Sequence, residues 1–395
     1  MTELDDLRVC GETSVGWCEL TQPNETTDDF GNLNPTNRGF GVKDPYAPSA
    51  RRYDHPEIQE LREYLKNHNG FTGLDICDPT DLDRIAHVFF RDGFVVVRDI
   101  LSKKRLEEFR EGSTRILREI LSYPGTKGRK YITETGRLPH RYSYGTSSAS
   151  RQLLHDAVWA NMVDLPTTTP ILTRLFGNAD YSVIGAGGDL CLPGAIEYQH
   201  LHRDIQESFQ LSPERIKQAK QVGVKLKGDC SNQLSLVEQR LVTDFTPPLI
   251  TINFLMSDLT YENGPIRQIA GTHAATHAPP PPSQEPAWMR LSTLVGADAG
   301  AAMFRDNRGW HGATPNLSKE VRSLPDVEYG APWWSSSHIA KTMPFEMWNN
   351  LSEHGKHICR FVKADPGTWP PGAGVMHPLA EGRRKAKEKV KSKPD

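Results

Sequence analysis

The second half of the chain is a run of short strand-length stretches cut apart by turn residues, and this spacing constrains the fold more than any other feature. The stretches are Tyr181–Ile184, Asp189–Leu192, Leu249–Met256, Ile266–Ile269 and Ala301–Phe304. Between and beside them lie Gly187-Gly188, Pro193-Gly194, Asn263-Gly264-Pro265 and Gly271. Short strands punctuated in this way build an all-β sandwich or barrel, whereas alternating β-α-β units would place an amphipathic helix between successive strands. No internal repeat is present.

Helices are expected ahead of this β-rich part. Asp78-Pro79 reads as a cap followed by a good first helical residue, with Leu82, Ile85, Ala86 and Phe89 at helical spacing and a stop at Gly93. Phe94-Val-Val-Val-Arg98 then reads as a β-branched strand. Ser102 caps a second helix whose apolar positions are Leu106, Phe109, Ile116, Leu117 and Ile120. Residues 1–75 are rich in Asn, Thr, Asp, Gly and Pro and are expected as an irregular extension, with EIQELREYLKNH its one helix-like stretch. The main domain is expected over 76–375, with an insertion at 205–247, and a basic tail over 380–395.

Composition narrows the function. The 395 residues carry a formal net charge of −2, which argues against a dedicated nucleic-acid binder. The six cysteines are scattered and form no C-x-x-C pair, as expected of reduced thiols rather than of a disulfide scaffold. The acidic N-terminus lacks an apolar core, and no stretch is apolar enough to span a bilayer. A cytoplasmic location without membrane partners is therefore expected; the sequence does not set the oligomeric state.

The segment Gln199-His200-Leu201-His202-Arg203-Asp204 is the most informative for chemistry. On a strand, residues i and i+2 share a face, so His202 and Asp204 can reach one metal ion. A third ligand must come from elsewhere, and His311, in Gly309-Trp310-His311-Gly312 after a predicted strand, is the best candidate. Two imidazoles and one carboxylate form the facial triad of non-haem iron(II) oxygenases, which leaves positions open for further ligands. Arg322 follows His311 by about one tight turn and a returning strand, and a guanidinium can grip a carboxylate with two parallel hydrogen bonds. His200-x-His202-x-Asp204 also fits the start of a zinc hydrolase motif, but residue 205 is Ile where that motif has His. His273 and His277 sit in a Gly/Pro/Ala-rich loop and are expected to be solvated, and Cys191 is expected as a packed thiol.

Several motifs in order resemble the phytanoyl-CoA dioxygenase family of iron(II)/2-oxoglutarate oxygenases. They are DGFVVVRDILSKKRLEEFR, Leu192-Pro-Gly194, Gln199-x-x-His202-Arg-Asp204, LTYENGPIRQIAGTH, and His311-Gly-Ala-Thr-Pro-Asn316-Leu-Ser318 with Arg322 at the expected place. Together they cover roughly residues 78–325. Two positions depart from the pattern: Ile266 stands where some relatives have a threonine, and Ala270 where a proline is usual. The resemblance implies a mainly β fold with flanking helices, a double-stranded β-helix or jelly roll of cupin type. It implies Fe(II) held by His202, Asp204 and His311, and 2-oxoglutarate held by Gln199 and Arg322, with O2 as the other co-substrate. The implied reaction oxidises an unactivated C–H bond of a small molecule, by hydroxylation or by cyclisation or desaturation, and releases succinate and CO2. A natural-product type of substrate fits such relatives. A jelly-roll module that keeps the metal pocket without turnover is the alternative. Lys217, Lys220 and Lys225, in the insertion after Ser212-Pro213-Glu214, are expected to lie over the pocket and to draw in an anionic substrate.

Overall fold

The computed structural model describes residues 53–121, 141–145, 152–195, 198–205 and 247–368, apart from 55, 72, 276, 333 and 335–338, and also 217 and 221. The stretch that would carry the basic lid, Lys220 and Lys225 included, lies outside the described residues.

Ten strands are described: β1 (Ile76–Cys77), β2 (Phe94–Val97), β3 (Arg141–Tyr144), β4 (Ser182–Cys191), β5 (Leu249–Phe254), β6 (Ile266–Gln268), β7 (Thr293–Leu294), β8 (Ala302–Asp306), β9 (His311–Ala313) and β10 (Arg322–Gly330). They form a seven-stranded sheet in the order β1-β2-β8-β5-β10-β4-β3 and a three-stranded sheet in the order β7-β6-β9. From β5 onward the chain alternates between the two: β5, β8 and β10 go to the large sheet, and β6, β7 and β9 to the small one. This crossing back and forth is the jelly-roll pattern expected from the sequence, in the form of two facing sheets with no closed barrel. Every pairing is antiparallel except that of β1 with β2.

The two faces of the large sheet have different tasks. Ile250, Ile252 and Phe254 of β5, Phe304 of β8, and Val327 and Tyr329 of β10 face the helices at 82–92, 103–121, 157–162 and 169–176 and belong to the main apolar cluster. Burying one such side chain contributes about 1.5–3 kcal/mol, so this face supplies most of the adhesion. The intervening residues face the small sheet. Within that interior Val96, Leu255, Ile266, Met303 and Leu324 form a second apolar cluster, which Phe94, opposite Arg305, extends into the neighbouring row. Polar side chains, among them Thr251, Arg305 and Glu328, line the interior as well.

The helix over Leu82–Asp92 starts three residues later than expected. Asp81 is its cap, accepting from the Arg84 amide at 3.0 Å, while Asp78 accepts from the amide and hydroxyl of Thr80 in a turn just before it. Its stop at Gly93 is as expected, with φ of 83° in the left-handed region that glycine adopts without strain. Ser102 caps the helix over Lys103–Leu121, its hydroxyl 3.3 Å from the Arg105 amide. The helix over Pro56–Asn67 packs Ile58 and Leu65 against Leu317, and Arg62 Nε donates to the Leu317 carbonyl at 3.1 Å.

Three expectations are corrected. The stretches at 181–184 and 189–192 are one strand, β4, and Gly187-Gly188 lies inside it rather than at a turn. The reason is crowding: a Cβ on Gly188 would lie 2.5 Å from the Tyr144 hydroxyl and 2.8 Å from the Leu324 carbonyl oxygen. The returning strand expected between His311 and Arg322 instead begins at Arg322: β10 runs from there to Gly330, with Pro325, which donates no ladder bond, inside it. His273 is not solvated; it is 7% exposed and packs against Gly93.

The crowding at Gly188 yields a prediction. Gly188→Ala should destabilise the protein by about 1–3 kcal/mol, the usual cost of forcing an extra methyl into a filled site. Urea unfolding measures it, and a midpoint equal to that of the native chain would show that β3 and β10 do not approach β4 so closely.

Candidate metal centre

Residues 198–205 run as an extended edge beside β9. The His202 amide donates to the His311 carbonyl at 3.0 Å, and the His311 amide returns the bond at 2.9 Å. The Gln199 amide donates to the Ala313 carbonyl at 2.9 Å, and the Asp204 amide to that of Asn307 at 3.0 Å. Gly312 permits the approach, since a Cβ there would stand 2.7 Å from the Gln199 carbonyl oxygen. Alternation then sorts the side chains. Leu201 packs outward with Met289 and Trp310, and Arg203 donates to the His277 carbonyl. His202 and Asp204 turn inward, as their spacing predicts.

Inward, His202, Asp204 and His311 offer ligand atoms that all lie within 4.8 Å of one another. Asp204 Oδ1 is 3.7 Å from His202 Nε2 and 3.6 Å from His311 Nε2. Its other oxygen is occupied: Arg305 Nη1 donates to Oδ2 at 2.6 Å, and Asn307 Nδ2 lies 3.4 Å from it. The two imidazoles are oriented from behind. His202 Nδ1 is 3.1 Å from the His200 carbonyl, and His311 Nδ1 is 3.1 Å from the Gly309 carbonyl. A carbonyl can only accept, so each Nδ1 carries the proton and each Nε2 presents a lone pair to the centre.

The electrostatics suit a cation. Burial pushes the Asp204 carboxyl up, but the charge of Arg305, followed by the facing imidazoles of His311 and His202, overrules it and holds the group well below the usual carboxylate range. Its side chain keeps 30% exposure. Burial, and next the Arg305 charge, hold His311 well below the usual imidazole range, so it stays neutral. One anionic oxygen and two neutral nitrogens at this spacing fit a divalent ion of the borderline type bound by imidazole and carboxylate.

Arg322 opens β10 and is 3% exposed. Its Nε donates to the Gly264 carbonyl at 3.1 Å and its Nη1 to the Asp189 carbonyl at 3.4 Å, which fixes the guanidinium on the inner face. Gln199 is buried, and its Oε1 accepts from the Ala313 amide at 3.2 Å, which leaves the side-chain NH2 as its donor.

Residues 89–324, more than half of the 395, match the family model described as phytanoyl-CoA dioxygenase (PhyH). The chain belongs to the phytanoyl-CoA dioxygenase family. It is an iron(II)- and 2-oxoglutarate-dependent oxygenase, with dioxygen as the other co-substrate. No curated protein matches the chain. Among solved structures, the chain is similar to the non-haem alpha-ketoglutarate-dependent epimerase SnoN from nogalamycin biosynthesis, with 17% identity over 64% of this chain and 82% of that one and a TM-score of 0.44. It is also similar to AviO1 from Streptomyces viridochromogenes Tue57, with 15% identity over 65% of this chain and 97% of that one and a TM-score of 0.42. HygX from Streptomyces hygroscopicus, solved with nickel, 2-oxoglutarate and hygromycin B, shares 14% identity over 63% of this chain and 87% of that one, at a TM-score of 0.42. The family assignment rests on the matched residues and not on these distant structures. Among the described residues, no helix is long and apolar enough to cross a membrane.

In this family member the two arginines nearest the motif differ in fate. Arg267, in the LTYENGPIRQIAGTH motif, faces outward and is engaged: it pairs with Glu285 and donates to the Met289 carbonyl at 2.6 Å and the Gln199 carbonyl at 2.5 Å. It therefore fastens the 198–205 edge and is not a rival of Arg322. His200 is not part of the ligand group, which removes the second histidine that a zinc hydrolase reading requires. Cys191 is the buried thiol expected.

Sequence reading missed three inward side chains. Arg305 is a lone cation in the apolar run Ala302-Met-Phe-Arg-Asp306, and that break in pattern was the available signal. Arg141 stands in register with Cys191, as does Arg322 on the other side of β4, so all three share one row. Arg141 Nη2 donates to the Thr314 carbonyl at 2.6 Å, and no motif around it signals this place. Glu328 is the third, hidden with the strand that carries it.

Arg305→Met should weaken iron(II) binding about 10- to 100-fold, the usual effect of removing an outer partner that orients a ligand. Anaerobic titration with iron(II) measures this. Affinity equal to the native value would mean that Asp204 is positioned without Arg305.

Proposed function

We propose that His202, Asp204 and His311 are the iron ligands and that Arg322 and Gln199 hold 2-oxoglutarate, in an enzyme that oxidises an unactivated C–H bond of a small molecule. The observation that carries the reading is the convergence of one carboxylate oxygen and two Nε2 atoms within 4.8 Å, with the second carboxylate oxygen already taken by Arg305. Iron(II), with 2-oxoglutarate and dioxygen, supplies the oxidising power, and the co-substrate leaves as succinate and CO2.

The chain's residues do the rest. The Arg305 bond to Oδ2 leaves Asp204 one oxygen to offer, so the carboxylate binds through Oδ1. The backbone carbonyls of His200 and Gly309 fix which nitrogen each imidazole presents. Arg322, held by two carbonyls on the same inner face, would meet the distal carboxylate of 2-oxoglutarate, and the Gln199 amide would donate a further hydrogen bond to it. The apolar cluster of the interior, with Ile266, Leu324 and Met303, excludes water behind the co-substrate. The product is a hydroxylated, cyclised or desaturated natural-product-type molecule. Lys217, Lys220 and Lys225 are read from the sequence alone as cations that would draw in an anionic group of the substrate.

Each of His202→Ala, Asp204→Ala and His311→Ala should abolish succinate release in the presence of substrate while leaving the far-ultraviolet circular dichroism unchanged. A variant of the three with near-native turnover would remove that residue from the ligand set. Arg322→Ala should weaken 2-oxoglutarate binding by about 2–5 kcal/mol, as for a buried charged pair that loses one partner. Gln199→Ala removes a neutral hydrogen bond and should cost about 0.5–1.5 kcal/mol. Calorimetric titration of the iron-loaded protein separates the two, and equal losses would reassign the anchor.

A further inference from the structure

Glu328 is a half-buried carboxyl without a hydrogen-bond partner among the described residues. Its strand neighbours Val327 and Tyr329 turn into the helix-covered core, where the Tyr329 hydroxyl donates to the Val163 carbonyl at 2.9 Å. Glu328 therefore turns the opposite way, into the space between the sheets. The register names its company: Glu328 lies opposite Thr251 of β5, and Thr251 opposite Arg305 of β8. Both partners in this row are tied to the metal centre. Arg305 holds Asp204 Oδ2, and Thr251 donates at 2.8 Å to Asn307, whose Nδ2 is 3.4 Å from the same oxygen.

Glu328 itself accepts no hydrogen bond and forms no ion pair among the described residues. Arg305, the cation of its row, directs its donors to Asp204 and Asn253. Asp189, on the same face, accepts from the Ser143 hydroxyl by contrast. Glu328 is half-buried although Val327 and Tyr329 are 0% exposed, so what it exposes faces the pocket. Burial, and next the Asp204 charge, push its carboxyl up to about 8 against the pull of Arg305. A carboxyl so placed costs stability until a donor meets it. Asp204 already neutralises Arg305, and the charge of iron(II) is matched by that of 2-oxoglutarate, so a second anion in the row needs its counter-charge from the remaining ligand. A charge-assisted hydrogen bond is roughly twice as strong as a neutral one, which favours a protonated amine over a hydroxyl as the partner.

We infer that Glu328 binds the prime substrate, accepting a hydrogen bond from a protonated amine that lies near the carbon to be oxidised. The inference rests on the iron reading of His202, Asp204 and His311, and it makes Glu328 a specificity-determining residue of that site.

The test uses the full chain loaded anaerobically with iron(II) and 2-oxoglutarate, whose charge-transfer absorbance reports occupancy of the centre. The probes are n-butylammonium and n-butanol, titrated separately and followed by the shift of that band. The native chain should bind n-butylammonium at least tenfold more tightly than n-butanol. Glu328→Gln should abolish the preference, and Glu328→Asp, which keeps the charge on a shorter stem, should retain part of it. A native chain with the band but without the preference overturns the inference alone, as does an unchanged preference in Glu328→Gln. A native chain without the band overturns the iron reading and the inference with it.

Discussion

Everything at the centre depends on one pair of backbone hydrogen bonds, the exchange between His202 and His311 at 3.0 and 2.9 Å. It brings together residues more than a hundred positions apart and aligns their side chains on one face. Opposed residues on antiparallel strands keep their Cβ atoms about 4.5–5.5 Å apart, which is the separation two ligands of one ion need. Gly312 makes the contact sterically possible, and Arg267 secures it from outside by bonding the Gln199 carbonyl while paired with Glu285. The outer face of the small sheet is thus a brace and its inner face a reaction surface.

The large sheet divides its work in the same way. Its helix-covered face is apolar and holds the strands in register, and that register decides which polar residues share a row on the other face. Arg305 shows how the two sheets cooperate: its backbone belongs to β8 of the large sheet, and its guanidinium grips Asp204 on the edge of the small one. Ligand orientation is therefore a property of the sandwich as a whole, since separating the sheets by even an ångström would break a 2.6 Å charge-assisted bond.

Much of this was legible in the sequence because it depends on local pattern. The i, i+2 spacing of His202 and Asp204, the stop at Gly93 and the cap at Ser102 each follow from alternation or from backbone chemistry within a few residues. What was illegible depends on distant neighbours. Gly187-Gly188 resembles a turn, and only the approach of Tyr144 and Leu324 explains glycine inside a strand. β10 reads poorly because Pro325, which disfavours a central strand, lies within it and because its inward residues Arg322, Asp326 and Glu328 are charged, so it lacks the apolar run of a buried strand. Arg141 carries no local signal at all; its place comes from pairing with Cys191 across β4. His273 sits in a polar-looking loop, yet that loop folds back onto Gly93.

β10 also works as a length gauge. It carries Arg322 at its first position and Glu328 near its other end, in one unbroken extended segment. At about 3.3 Å per residue, their Cα atoms are separated by roughly 20 Å along the strand, a span set by backbone geometry rather than by side-chain packing. Side chains can lean into that interval but cannot lengthen it. The centre at Asp204, tied to the Glu328 row through Arg305, lies within reach of one end. The distance between those two charged ends is therefore fixed by the backbone, and only the segments beyond this strand could alter the space they bound.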